Sequence, residues 1–338
     1  MADRGTTVGS DGATLVVDRD HRRRSIDLWW RSAALIVLLA STWLIVGASL
    51  QEASTAVVSA GRTIFTVGGL LALSWWTTHR GGVNAPDAPA PVVRRAPTPY
   101  RWWQLLLLAL SGVNAYTLFS TVAIGFAGPV LPTLIMALTP AAVLIAESAM
   151  TRVVPAVPTI VGTLLAIGGA LLYVLPRLDG TVGSDVLIGT LFSIAAMGSM
   201  AFYGVFFARV NRAYHGPMAP RILPIFALGS IPLVLWAAAA IGGGESVSWN
   251  VVVMLAVLGI AIYVPVYLLQ HRIILTAGAS YAALLGLAVP PLVGLGSALL
   301  HLAAVPIPVQ LLGILATVLG MALVIRRRLV PGKPGQRG

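Results

Sequence analysis

Arg62 is the side chain whose type and place most demand explanation. It lies about nine residues into an apolar stretch that opens at Ala53, roughly 13 Å along a helix rising 1.5 Å per residue. A guanidinium at that depth in hydrocarbon costs about 2.5–3.5 kcal/mol on insertion scales. It must therefore face a cavity or a partner, or snorkel along its stem to the headgroups. In a cavity it would suit a carboxylate or a phosphate. Trp43, Tyr116, Tyr203, Tyr263 and Tyr267 fall well inside other apolar stretches, where they either pack or shape a pocket with hydroxyl and indole donors. Asn114, Thr117 and Thr121 share a helical face at i, i+3, i+7 spacing. That face either lines the same pocket or bonds a neighbouring helix.

Other reactive types are placed less tellingly. Glu147 closes an apolar stretch five residues before Arg152 and reads as half of an interfacial ion pair. No acid lies nearer the middle of any stretch, so antiport through a buried carboxylate is not indicated and the coupling mode stays open. Pro140 and Pro290 stand inside expected helices, where a missing N–H frees a carbonyl and predicts a kink at the pathway. The five histidines, His21, His79, His215, His271 and His301, read as lying outside or at the ends of the stretches, none paired at ligand spacing. With no cysteine and no HExxH, P-loop or nucleophile-elbow motif, the sequence points to no catalytic residue, no metal, no cofactor and no enzyme.

The elements that must position these residues follow from composition. Of 338 residues, 57% are apolar and 10% charged, with a mean hydropathy of +0.89. Soluble domains carry about 25% charge, so a water-soluble globule is excluded. Ten apolar segments of crossing length are expected, at 32–50, 53–76, 103–124, 130–149, 155–174, 186–208, 222–241, 249–269, 279–300 and 308–325. Residues 1–27 read as a disordered cytosolic tail, 77–101 as a Pro-rich linker and 327–338 as a basic tail. Trp29, Trp30, Trp75, Trp76, Trp102, Trp103 and Trp249 sit at segment ends, as headgroup anchors do. With the amino terminus in the cytoplasm, every Lys and Arg except Arg62 and Arg177 falls on the cytoplasmic side. The net charge of +11 is then topology, and nucleic acid is not needed as a partner. Both termini are expected in the cytoplasm of a plasma membrane.

The two halves echo each other. Trp43 and Arg62 stand 159 residues before Phe202 and Arg221, and Gly112 and Tyr116 stand 147 before Gly259 and Tyr263. Ala127-Gly128 and Pro140 precede Ala277-Gly278 and Pro290 by 150, and Gly162 and Gly169 precede Gly313 and Gly320 by 151. A duplicated unit with an odd number of crossings inserts its second copy upside down, and inverted repeats supply the two related conformations of alternating access.

On these residues, with Glu147 closing the fourth segment, the chain resembles the drug/metabolite transporter superfamily, in particular its ten-helix EamA-type members. The position of Glu147 holds Ser297 in the second half, and Trp43 is followed by Leu44, both departures from the family pattern. The resemblance implies an all-α integral membrane fold of two inverted five-helix repeats, 28–178 and 179–326. It further implies a secondary transporter, commonly an exporter, of metabolites, amino acids or drug-like solutes through a central cavity. The expected partners are a small solute and the bilayer; pairing of two copies is left open. A non-transporting scaffold or sensor, a channel and a membrane-embedded enzyme are the alternative readings.

Overall fold

Between Gly12 and Gly47 the chain has neither Gly nor Pro, so nothing there stops a helix. In the structure, a computed structural model, α1 accordingly runs Ser10–Glu52. The tail expected to be irregular is thus helical from Ser10, because the same uninterrupted run carries it into the first crossing. The structure describes residues 10–80, 99–127, 135–174, 184–289 and 307–329, with 132, 176 and 292 as single positions. Most of the Pro-rich linker, Gly128, Pro290, Ser297, His301 and the carboxyl-terminal residues lie outside the described residues.

After α1 come α2 (Thr55–Arg80), α3 (Trp102–Leu108), a π-helical segment (Ala109–Ala115) and α4 (Tyr116–Ala127). Then follow α5 (Thr139–Thr151), α6 (Val157–Val174), α7 (Ser184–Val210) and α8 (Met218–Gly242). Helix α9 (Trp249–Ala256), a second π-helical segment (Val257–Tyr263) and α10 (Val264–Ala277) form one continuous rod. Helix α11 (Ala279–Leu285) ends in a 3₁₀ turn (Gly286–Ala288), and α12 (Pro308–Leu329) is last. No strand occurs among the described residues.

Six segments among them are long and apolar enough to cross a bilayer: Asp27–Glu52, Thr55–Thr77, Trp102–Phe126, Leu187–Val210, Met218–Gly242 and Trp249–Ala277. Shorter apolar helices cover Val157–Gly169, Ala279–Ala288 and Pro308–Gly320. Leucines such as Leu235 stand 65% exposed and tryptophans such as Trp30 74%. Interior hydroxyls such as Ser49 and Ser193 bond back to carbonyls one turn away (Ile45 O, 2.8 Å; Gly189 O, 2.7 Å), while those of Ser59 and Thr163 have no partner among the described residues. An apolar outside with internally satisfied polar groups is the arrangement lipid demands. The chain is an all-α, multi-pass membrane protein.

Three helix pairs dominate the packing: α2 on α8, α4 on α7, and α6 on α12. The first π-helical segment lies on α8 and the second on α2. These contacts are close because glycine stands in them. A Cβ on Gly259 would lie 2.4 Å from Phe65 Cβ, and one on Gly229 would lie 2.7 Å from Ala109 O. At the α6–α12 crossing, a Cβ on Gly169 would meet Gly313 O at 2.5 Å, and one on Gly320 would meet Gly162 O at 2.5 Å.

Three local expectations need correction. Pro140 falls in the first turn of α5 and does not kink a helix interior. A proline is tolerated there because the first N–H groups of a helix lack partners anyway. Glu147 does not pair with Arg152; its carboxylate accepts from the backbone N (3.3 Å) and the hydroxyl of Ser280. A carboxylate is favoured there by the unpaired N–H groups at the start of α11. The eighth crossing extends to Ala277, because Gln270, His271 and Arg272 do not break a helix and Gly278 (φ 96°) does.

Candidate functional site

Helix α2 brings Arg62 inward, not toward the headgroups: the residue is 8% exposed, within the span Thr55–Thr77. Its Nη1 donates to the Tyr263 hydroxyl (3.0 Å) and its Nη2 to Thr121 Oγ1 (3.3 Å). The guanidinium carbon lies 5.7 Å from the centre of the Tyr263 ring. Thr121 in turn donates to Thr117 O (2.6 Å), which holds its oxygen toward the arginine. The approach of α2 to Tyr263 depends on Gly259, whose missing side chain leaves room for Arg62 O, 3.0 Å from where a Cβ would be.

Arg62 lines a cavity of about 80 Å³ that also takes in Trp43, Tyr116, Tyr203, Tyr263 and Tyr267. A single water needs about 10–15 Å³ on that measure, so the space holds several waters or part of a small solute. Its walls come from both halves of the chain. Tyr263 and Tyr267 stack at 5.3 Å with an angle of 11°, one helical turn apart, and Phe226 of α8 covers Tyr267 at 4.3 Å. Among the described residues, no acidic residue lines the cavity. Two of the five N–H groups of Arg62 are used among the described residues, and no carboxylate neutralises its charge there.

Asn114 does not line the cavity. It belongs to the π-helical segment Ala109–Ala115, and this segment and α4 line the cavity through Gly112, Tyr116, Ser120 and Ile124, a set that includes neither Asn114 nor Thr117 and Thr121. Within the same segment, Gly112 gives its space to the Tyr203 ring, whose Cδ2 lies 2.2 Å from where a Cβ would stand.

His271 is the site residue that the sequence reading missed. It was placed at a segment end, yet it is 1% exposed inside α10 and lines the cavity. Its Nδ1 lies 2.5 Å from Tyr267 O, and its Nε2 is bonded to the Tyr203 hydroxyl. Phe207 meets the ring edge-on at 4.5 Å. The signal that could have found it is the run Tyr263, Tyr267, His271, which stand on successive turns of one helical face.

The repeat partner of Arg62 is also buried but serves elsewhere. Arg221 donates through Nε to Asn211 Oδ1 (2.5 Å) and lies 3.7 Å over the Tyr100 ring. Tyr100, just outside the span that opens at Trp102, donates to the same Asn211 oxygen (3.0 Å). Burial pushes its hydroxyl up to about 12 against the pull of Arg221.

No protein-family model matches the chain, and no curated protein matches it. A solved structure, described only as the crystal structure of a protein, is 20% identical and superposes with a TM-score of 0.64. The match covers 88% of this chain and 96% of that one, so the two share a fold over nearly their whole lengths.

Proposed function

We propose that this protein is a secondary transporter of the EamA-type drug/metabolite class, moving a small solute through the Arg62 cavity by alternating access. In this reading ten helices form two inverted five-helix units, 28–178 and 179–326, with both termini in the cytoplasm of the plasma membrane. The reciprocal packing supports it. Helix α2 lies on α8 and α6 on α12, while each π-helical segment lies on the helix of the other half. The contacts Gly169 to Gly313 and Gly320 to Gly162 exchange partners as a twofold axis would.

One observation carries the proposal: a buried arginine without a carboxylate partner in the cavity faces an aromatic-walled space shared by both halves. A charge kept there has to be offset by what it binds, which makes the solute a small molecule with an anionic group. Export is the direction that the resemblance implies. The lining holds neither an acid nor a cysteine, which favours a carrier over an enzyme.

The test is untargeted metabolite profiling inside and outside cells that overproduce the wild type or Arg62→Gln. An anionic metabolite redistributes with the wild type and not with the variant at equal membrane abundance. Identical profiles for the wild type and for cells without the protein would support the scaffold or sensor reading instead.

A further inference from the structure

We infer that His271 is the proton-binding group of the cavity and that its proton travels with the anionic solute. This rests on the transporter reading and adds the coupling ion to it. The tautomer follows from the partners. Tyr267 O is a carbonyl and can only accept, so the proton of the neutral ring sits on Nδ1. Nε2 is then the bare nitrogen, and the Tyr203 hydroxyl donates to it. The ring therefore offers one lone pair in the cavity, held by a single phenol.

Around the ring, helix α7 presents Tyr203 and Phe207, and α8 presents Phe226, its own Arg221 being turned to Asn211 and Tyr100. Helix α10 itself contributes Tyr267, while Arg272 reaches away to Gly216 O (3.5 Å). Across the cavity stand Arg62, Tyr116 and Tyr263, and α1 lines it with Leu39, Thr42 and Trp43. Nearby, Glu147 is engaged by Ser280 and Tyr281 by Ser32. The charge that lines the cavity with His271 is thus the positive one of Arg62, and among the described residues no carboxylate lines it.

That arrangement sets the sign of coupling. An anion beside Arg62 adds the negative charge that the cavity lacks and so favours a proton on the ring. When Nε2 takes the proton it becomes a donor, so the Tyr203 oxygen must accept. The phenolic hydrogen then turns toward the cavity, where a carboxylate can take the hydrogen bond. Anion and proton bind together, and a monoanion crosses without net charge. The sum of the solute and proton gradients sets the direction, outward when accumulation of the solute inside outweighs the proton gradient.

The experiment is histidine ¹⁵N NMR of the full chain in lipid nanodiscs, with the His271 signals assigned by their loss in His271→Gln. The expected spectrum at neutral pH is the Nδ1–H tautomer, and Tyr203→Phe shifts the Nε2 resonance. On acidification the ring converts to imidazolium while the protein stays folded. Hippurate, an aromatic carboxylate used as the probe at millimolar concentration, moves that conversion up by about half a pH unit, roughly a threefold gain in proton affinity. It has no such effect in Arg62→Gln. By reciprocity hippurate binds about threefold more tightly once the ring is protonated. An Nε2–H tautomer, a ring that takes no proton while folded, or a titration indifferent to hippurate overturns the inference. Metabolite redistribution would survive all three results, so the transporter reading fails or stands separately.

Discussion

Arg62 and Arg221 occupy matching places in the two halves, 159 residues apart, and both are buried, yet their surroundings differ. Arg62 holds a phenol and a threonine hydroxyl and borders open space. Arg221 is closed in by Asn211 and the face of Tyr100, with the Tyr214 ring at 5.1 Å. Asn211 is itself anchored, its Nδ2 donating to Phe207 O (2.9 Å). A repeat thus delivers the same charge to two equivalent positions, and the neighbours decide which becomes a binding group and which a clamp. An amide oxygen and two aromatic rings surround the Arg221 guanidinium. Two hydroxyls leave most of the Arg62 donors available.

Exchanging roles would break this comparison. The largest expected effect is on Arg62→Ala, which lowers anionic solute flux about 100-fold per folded molecule by removing a charge-assisted contact. Flux in reconstituted vesicles, normalised to folded protein, measures it, and a variant that transports normally ends the functional distinction. Next comes Arg221→Met, expected to cost about 2 kcal/mol of stability through the lost Asn211 bond and ring contact. It should leave flux per folded molecule unchanged, as read from thermal unfolding in detergent beside the same vesicle assay. Tyr263→Phe removes one neutral partner of Arg62 and should weaken solute binding about three- to tenfold, seen in KM more than in kcat.

The smallest effect sharpens the clamp side. Tyr100 keeps its proton to about pH 12 when folded but loses it near pH 10 when unfolded. Its contribution is therefore complete below pH 10 and is lost as the pH rises toward 12. Denaturation followed across that window should show the decline in the wild type and a flatter profile in Tyr100→Phe.

Periodicity made much of this legible. Long apolar runs carry the crossings, and Trp43, Arg62, Tyr116, Tyr203, Tyr263 and Tyr267 stand out as unusual types at mid-run. Asn114 stood out by its type, but the cavity takes Gly112, Tyr116, Ser120 and Ile124 from that stretch, a choice that packing makes and local spacing does not. Glu147 escaped because its partner, Ser280, is 133 residues distant while Arg152 is close in sequence. His271 was hidden by the polar run Gln270-His271-Arg272, which resembles the end of a crossing.

By itself, the amino-acid sequence determined the solvent in which the protein folds and the inventory of polar and aromatic groups carried into it. Those are properties of single residues and of local hydropathy. Only the tertiary structure decided that one arginine borders space while its repeat partner is enclosed, and that a histidine meets a phenol on another helix. The physical reason is range. Hydropathy is summed along the chain, whereas a cavity and its hydrogen bonds arise among groups that share no local pattern, such as Arg62 and Tyr263, 201 residues apart.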